Sequence, residues 1–172
     1  TDAPRSVQPV RHFDVQHLDL DLKVHHEEGR VEGTATVRVQ RLNPSDAPLR
    51  LHQVELDIEE ISVDGTVVAE FKQGATLLEV PLPSGQDVHE VTVRYAATPQ
   101  TGLHFRGRPG SIDRAEEVWS QGEGEDNRHW FPNWDYPNDT HTVSTRLTVP
   151  KHWHATANGL LQEEPTTDGA WK

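Results

Sequence analysis

The chain has 172 residues, a formal net charge of -12, and a hydrophobic fraction of 33%. This length suits one domain with a substantial core, since a domain of roughly 150 residues buries about two thirds of the surface that its unfolded chain exposes. The negative field repels phosphate backbones and anionic lipid, and no apolar run approaches the roughly 18 residues of a membrane helix, so we expect no nucleic-acid and no membrane partner.

Two long strands joined in a hairpin are the first predicted elements. Between Leu18 and Val24, leucine or valine alternates with aspartate or lysine, and this period of two is typical of a half-buried strand. The alternation breaks at residues 25–29 and resumes from Val31 to Val39, as expected of a second, antiparallel arm.

Shorter strands are predicted next. A proline-containing loop precedes residues 49–63, whose apolar pattern indicates two strands or one bent strand that turns back at Asp64-Gly65. Further short strands are predicted at residues 67–71, 77–82 and 91–95. Their spacing is typical of β-sandwiches and open barrels, and no segment up to Ala97 has helical periodicity.

The stretch from Thr98 to Asp139 has a different composition. Glycine, proline, tryptophan and acidic residues crowd together without a period. An irregular stretch of this length is uncommon unless it is functional, so we expect the functional site here. A strand is predicted again at residues 143–149, and Asp168-Gly169 predicts a hairpin turn.

The chain has eleven histidines, and histidine is a common metal ligand. A zinc-peptidase helix requires His-Glu-x-x-His, because residues four apart lie on one helical face and both reach the ion. The segments His26–Arg30 and His89–Val93 begin with His-Glu but lack the second histidine, and both lie in a strand or turn context. The chain also has no cysteine. We therefore expect no metal ligands in this chain.

Structural roles are expected for the other histidines. His25–His26, beside two glutamates, is interpreted as a solvated hairpin tip. His152 and His154 flank Trp153 and are interpreted as a surface pair. His52 precedes an apolar run and is predicted to be hydrogen-bonded and partly buried.

Residues 118–137 carry the most specific pattern, VWSQGEGEDNRHWFPNWDYP. This segment resembles the motif Thr-Gln-x-Glu/Gln, an arginine four or five residues later, and Phe-Pro-Cys-aromatic-Asp-Glu-Pro of the zinc aminopeptidase family that includes aminopeptidase N and leukotriene hydrolase. The matching positions, in register and without a gap, are Gln121, Glu123, Arg128, Phe131, Pro132, Trp134, Asp135 and Pro137. Weaker matches over nearly the whole chain are Val31–Gly33, Leu51–His52, Gly102–His104 and Asn158–Gly159.

The resemblance implies an all-β fold, a saddle-like sandwich of antiparallel sheets with a long irregular loop segment near residues 98–139. It implies that residues 1–172 are a single amino-terminal domain, truncated before a catalytic zinc domain that packs against it. In that family, the residue at the position of Glu123 helps to bind the free α-amine of the peptide, and the residue at the position of Gln121 lines the pocket for the first side chain. The zinc of the parent aminopeptidase is then bound by residues outside this chain, which holds no catalytic residue and is inactive alone.

The chemistry implied for Glu123 is physically reasonable. A carboxylate in a water-poor cleft forms a charge-assisted hydrogen bond to an ammonium group that is stronger than a neutral one. Gly122 and Gly124 on either side would let the backbone approach a ligand closely. Three positions depart from the family pattern: Gly122 and Asn133 stand where cysteine is often found, and Tyr136 replaces the glutamate before the last proline.

Other interpretations of the same segment remain open. In a purely structural one, four aromatic residues lie in the core, Arg128 pairs with Asp135, and the acidic run is a solvated rim. The aromatic residues are Trp119, Trp130, Phe131 and Trp134. Two other functions are a non-catalytic protein-interaction β domain of a related protein that has lost its peptidase chemistry, and a carbohydrate-binding sandwich that stacks sugars on the three tryptophans.

Overall fold

The structure is a computed structural model that describes residues 10–43, 46–112 and 115–172. These residues form eleven strands and one 3-10 helix, and within them no helix is long and apolar enough to cross a membrane. The strands are β1 (Phe13–His25), β2 (Arg30–Arg41), β3 (Leu49–His52), β4 (Asp57–Val63), β5 (Thr66–Val67), β6 (Lys72–Gln73), β7 (Leu77–Val80), β8 (Val88–Ala97), β9 (Leu103–Arg106), β10 (Glu117–Ser120) and β11 (Thr142–Thr148), and the 3-10 helix is Asn127–His129.

Six strands form the largest sheet, in the order β11-β1-β2-β8-β4-β5. The long hairpin predicted at the start is confirmed: β1 pairs with β2 from Phe13 opposite Arg41 to His25 opposite Arg30. The strand β2 pairs in turn with β8, also antiparallel. A three-stranded sheet, β3-β7-β6, and the two-stranded β9-β10 hairpin complete the architecture.

One apolar cluster fills the space between the two larger sheets. On β1, Leu20 and Leu22 are 3% and 1% exposed. Asp19, the residue before Leu20, faces solvent. Leu51 of β3 and Leu78 of β7 are fully buried in the same cluster. The alternation of the sequence therefore places one face of each sheet in a shared core, and the all-β sandwich is confirmed.

The direction of β11 differs from the antiparallel arrangement that we expected. This strand pairs with β1 in parallel, from His17 opposite Thr142 to Lys23 opposite Thr148. Asp139 explains the arrangement, because its carboxylate accepts a hydrogen bond from the backbone N–H of Val15 at 2.9 Å and so anchors the start of β11 beside the start of β1. An alternating pattern carries no information about strand direction.

The segment near residues 98–139 is more ordered than the sequence predicts. It contains β9 and β10, which pair from Leu103 opposite Ser120 to Arg106 opposite Glu117. Leu103 is buried, and Val118 packs against the core, so the hairpin is attached to the sandwich by its inward face. Strands of four residues are too short for their period to stand out in the sequence.

The interpretation of His25–His26 as a solvated tip is wrong for His26, which is 5% exposed. Its Nε2 lies 2.6 Å from the carbonyl oxygen of Arg106, and its ring centroid lies 4.9 Å from that of Trp153. Arg108 covers the tip further by donating to the carbonyl of Glu28 at 3.1 Å. His26 is therefore buried by long-range contacts that local sequence does not reveal, whereas Glu27 and Glu28 at the same tip remain exposed.

Gly33 in β2 generates a prediction about stability. Its φ is +150°, and a Cβ there would overlap the carbonyl oxygen of Asp21 on β1. We expect Gly33→Ala to lower the free energy of unfolding by about 1–3 kcal/mol from the backbone angle alone, with the overlap added to it. Urea denaturation measures the loss. Gly85→Ala is the matched control, since Gly85 has a φ of +100° but nothing near its Cβ position; equal losses in the two variants would contradict the steric part of the argument.

Candidate functional site

The candidate site begins where the β9-β10 hairpin ends. The backbone N–H of Gln121 donates to the carbonyl of Gly102 at 2.8 Å and extends the ladder of β10 by one residue. The chain then turns at residues 123–126 and enters the 3-10 helix. Gln121 therefore lies at the end of a strand, and Glu123 is the first residue of a turn.

Gln121 and Glu123, the two predicted substrate-binding residues, are both exposed. Among the described residues, neither the Gln121 amide nor the Glu123 carboxylate has a hydrogen-bond or ion-pair partner. An ionised carboxylate accepts hydrogen bonds through both oxygens. The acceptor capacity of Glu123 is therefore available to a ligand.

A buried ion pair lies directly below this surface. The Nε of Arg128 donates to Oδ2 of Asp135 at 3.0 Å, and the backbone N–H of Arg128 donates to the same oxygen at 3.2 Å. Each residue is 8% exposed. The pairing of Arg128 with Asp135, predicted in the structural interpretation, is confirmed. The motif at residues 118–137 therefore contains a buried ion pair that stabilises the loop as well as exposed residues.

The turn that carries Glu123 is held by two contacts. Nη2 of Arg128 lies 2.8 Å from Oε2 of Glu125. The hydroxyl of Thr101 donates to Oδ2 of Asp126 at 3.2 Å. Because Glu125 and Asp126 belong to the same turn as Glu123, these contacts restrict the backbone on which the Glu123 carboxylate is mounted.

His52 connects the site to β3. The backbones of His52 and Asn133 exchange two hydrogen bonds, and the N–H of Asp135 donates to Nδ1 of His52 at 3.1 Å. Burial, together with the nearby Arg128 guanidinium, lowers the pKa of His52 to about 4. The ring is therefore neutral at pH 7, as an acceptor Nδ1 requires, and the predicted hydrogen-bonded, buried His52 is confirmed.

Two of the departures from the family pattern are matched by their surroundings. The side chain of Asn127 occupies the space into which a Cβ at Gly122 would point. Its Oδ1 accepts a hydrogen bond from the indole N–H of Trp130 at 3.2 Å. Tyr136 places its ring 5.6 Å from the guanidinium carbon of Arg128. Gly122 and Tyr136 therefore take part in the packing below the surface, and Gln121 and Glu123 remain exposed.

The three tryptophans of the segment differ in exposure. Trp130 and Trp134 pack against the core, and the indole N–H of Trp134 donates to Oδ1 of Asn138 at 2.8 Å. Trp119 is 41% exposed, so its placement in the core was wrong. It lies on the outward face of the β9-β10 hairpin, next to the inward-facing Val118. This distribution weakens the carbohydrate interpretation, since the three rings do not form a common stacking surface.

The exposed surface formed by Gln121 and Glu123 has groups that can bind a ligand. Across residues 10–43, 46–112 and 115–172, no group of three or more histidine, aspartate or glutamate side chains is arranged to hold a metal ion. These residues therefore do not fit a zinc site. What they provide is a carboxylate and an amide on a braced backbone, which suits a ligand with a positive charge and hydrogen-bond donors.

Comparisons with known proteins agree on one family. The sequence profile of the peptidase M1 N-terminal domain matches residues 14–172. Rat (Rattus norvegicus) glutamyl aminopeptidase is 27% identical over 191 residues, covering 98% of this chain. A variant of the M1 zinc metallopeptidase of Deinococcus radiodurans, solved with a Tyr-Ser-Ala substrate, is 30% identical over 94% of this chain, with a TM-score of 0.79. Native yeast LTA4 hydrolase has the same fold, with a TM-score of 0.78 over 93% of this chain at 23% identity.

The chain spans a small part of these relatives. It covers 19% of the length of the rat aminopeptidase, 38% of the Deinococcus enzyme and 26% of the yeast hydrolase. The similarity therefore concerns one domain of larger proteins.

The buried ion pair generates a second prediction. Removing one partner of such a pair costs about 3–5 kcal/mol, because the other charge stays buried without compensation. We expect Arg128→Met to lower the free energy of unfolding by this amount in urea denaturation. Arg50→Met is the control: Arg50 lies 2.8 Å from Glu79 but is exposed, so its loss is within about 1 kcal/mol. If Arg128→Met lowers the free energy of unfolding no more than Arg50→Met does, the buried ion pair does not stabilise the fold.

The lowered pKa of His52 generates a third prediction, about pH. Between about pH 6.5 and 4 the unfolded chain protonates His52 and the folded protein does not, so stability falls as the pH falls through this window. The contribution amounts to about 3 kcal/mol for a pKa difference of this size. Burial also lowers the pKa of His141, which acts in the same direction. We expect His52→Gln to flatten the dependence of unfolding free energy on pH between 7 and 4, whereas the exposed His154→Gln leaves it unchanged; the same slope in both variants would count against this account.

Proposed function

Because the chain belongs to the peptidase M1 N-terminal domain family, we propose that it forms one wall of the substrate cleft of a zinc aminopeptidase and holds the free α-amine of the peptide through Glu123. The enzyme removes residues from the amino terminus of peptides. The relatives named above include an aminopeptidase and a zinc metallopeptidase, and in this proposal residues 1–172 are one unit of such a protein. The partners are the peptide amino terminus and a catalytic domain in the same polypeptide.

The position of Glu123 is the observation that carries this proposal. The residue matches the acidic position of the family motif, and its carboxylate is exposed without a protein partner among the described residues. The contacts of Glu125 and Asp126 hold its turn in place. A charged acceptor on a restrained backbone loses little conformational freedom when an ammonium group binds, so more of the interaction energy appears as affinity.

Gln121 supports the same function from the neighbouring strand end. Its backbone is fixed by the hydrogen bond to Gly102, and its amide side chain is exposed. An amide both donates and accepts hydrogen bonds, so it tolerates different side chains of the first peptide residue. We assign Gln121 to the wall of the first side-chain pocket, beside the amine held by Glu123.

The chemical step belongs to the rest of the protein. When bound in the catalytic domain, zinc supplies electrophilic activation of the first peptide bond, and its ligands lie outside this chain. This chain sets which bond is first by fixing the amine, and alone it is inactive.

The alternative function is a non-catalytic interaction domain of a protein that has lost its peptidase chemistry. Fold alone does not separate the two functions. The presence of both Gln121 and Glu123 at an exposed surface favours the enzyme, because a domain that no longer binds peptide amines has no need of either. The sequence of the rest of the longer protein separates the two functions. An active aminopeptidase is expected to contain Gly-x-Met-Glu-Asn and His-Glu-x-x-His with a more distant glutamate, and their absence would favour the interaction domain.

The test of this function replaces Glu123 in the longer protein. Glu123→Gln keeps the size of the side chain and removes its charge, and a hydrogen bond to a charged group contributes about 1.5–3 kcal/mol. We expect kcat/KM for aminoacyl nitroanilides to fall about 10- to 100-fold. An inhibitory peptide should bind the unmodified protein more tightly than its analogue without the α-amine does. In Glu123→Gln the ratio of their two inhibition constants should fall by a similar factor.

Glu28→Gln is the matched control, since Glu28 is an exposed carboxylate in the β1–β2 turn. Its kinetics should equal those of the unmodified protein. If Glu123→Gln also retains the full kcat/KM and the full preference for the α-amine, Glu123 does not bind the amine.

A further inference from the structure

The outward face of the β9-β10 hairpin carries side chains that the proposed function leaves unused. The guanidinium of Arg106 lies 3.5 Å from the carboxylate of Glu117 at one end of this face. The next pair along this face is His104 and Trp119, which lie opposite each other on β9 and β10. Since residues two apart on a strand share a face, Glu117, Trp119 and Gln121 lie on the same side. The face therefore leads directly to the candidate site.

His104 and Trp119 form a stacked pair. Their ring centroids are 4.2 Å apart and their planes differ by 23°. Of the large hydrophobic residues that are exposed in the described part of the chain, Trp119 is the only aromatic one. The stack covers one face of the indole and fixes its orientation, and 41% of the residue stays exposed. We call the two side chains, His104 and Trp119, the aromatic platform.

Gly102 connects the aromatic platform to the turn that carries Glu123. Its φ is +78°, and a Cβ there would overlap the carbonyl oxygen of Asp126. The turn at residues 123–126 therefore packs directly on Gly102, the residue before β9. Gly102 and His104 are two positions apart, a distance of about 7 Å along an extended chain. An extended lysine or arginine side chain has a reach of this order.

The surroundings of the aromatic platform are acidic. The carboxylates of Glu117, Glu123 and Glu125 are all exposed, and the whole chain has a net charge of -12. Glu117 is paired with Arg106 and Glu125 with Arg128, so of these three carboxylates the one that stays unpaired among the described residues is that of Glu123. The face of a tryptophan ring attracts a cation by about 0.5–1 kcal/mol at an exposed site and by about 2 kcal/mol when water is excluded. An exposed indole among carboxylates therefore favours a cationic group over a neutral apolar one.

We infer that the aromatic platform selects peptides whose first residue has a long cationic side chain, lysine or arginine. This inference rests on the proposed function, because Glu123 must hold the α-amine for the first side chain to extend toward Trp119. Gln121 lies between the two positions and borders the path of that side chain. The cationic group stacks on the indole face that His104 leaves uncovered.

The test compares kcat/KM of the longer protein for arginine, lysine, leucine and phenylalanine nitroanilides. Trp119→Leu should lower the values for arginine and lysine about three- to tenfold, in line with a cation–π contact, and change the value for leucine less than twofold. Trp119→Phe should retain most of the selectivity. Ile112→Ala is the control for changes elsewhere on the hairpin, since Ile112 is 99% exposed on the β9–β10 connection, and it should change none of the four values.

Variants of His104 test the stack itself. His104→Ala leaves the indole without support and should reduce the ratio of arginine to leucine values. His104→Phe keeps a ring beneath Trp119 and should preserve that ratio. Circular dichroism establishes that each variant retains its β structure.

The outcomes separate this inference from the proposed function. Equal losses for leucine and arginine in Trp119→Leu, or a loss confined to phenylalanine, would overturn the cationic selectivity while leaving the aminopeptidase function intact. If the unmodified protein hydrolyses other aminoacyl nitroanilides but neither the arginine nor the lysine one, this inference alone is overturned; if it hydrolyses no aminoacyl nitroanilide at all, the proposed function fails and this inference fails with it.

Discussion

The buried ion pair between Arg128 and Asp135 is the interaction on which the geometry of the exposed surface depends. The partners are seven positions apart in the chain, so the pair joins the 3-10 helix and the Phe131-Pro132 step into one unit. The same guanidinium reaches out to Glu125 in the turn. Burying two charges is expensive, and an apolar pair of similar volume is often no less stable. The ion pair therefore matters most for the one conformation that it imposes on the turn.

The sandwich supplies the rigid base that this ion pair needs. β3 is part of the core through Leu51, and its last residue, His52, is bonded to Asn133 and Asp135. The chain is thus anchored to a buried strand immediately beside the acidic partner of the pair. Above this base, Glu123 and Gln121 remain exposed. These interior contacts hold the loop in place, and the Glu123 carboxylate, which has no partner among the described residues, is left for a ligand, as preorganised recognition requires.

The limits of the sequence prediction follow from the physics of each element. The long β1–β2 hairpin was predictable because its alternation persists for many residues. The structural interpretation of residues 118–137 predicted the Arg128–Asp135 pair, and the in-register motif proposed Gln121 and Glu123 as substrate-binding residues. The parallel pairing of β11 depends on the contact between Asp139 and Val15, far apart in the chain. The exposure of Trp119 depends on a strand of four residues, too short to reveal which face is buried. Local patterns therefore predicted the elements, and long-range contacts decided their arrangement.

The central claim is that this domain fixes the α-amine of the substrate through a carboxylate mounted on a braced turn. A crystal structure of the longer protein with a bound peptide tests it most directly. We expect the peptide ammonium nitrogen to lie within about 3.2 Å of a Glu123 carboxylate oxygen, the upper limit of a hydrogen bond to nitrogen. We also expect the Arg128–Asp135 pair to remain as it is here. An amine held entirely by residues of the catalytic domain, with Glu123 still facing solvent, would contradict this claim.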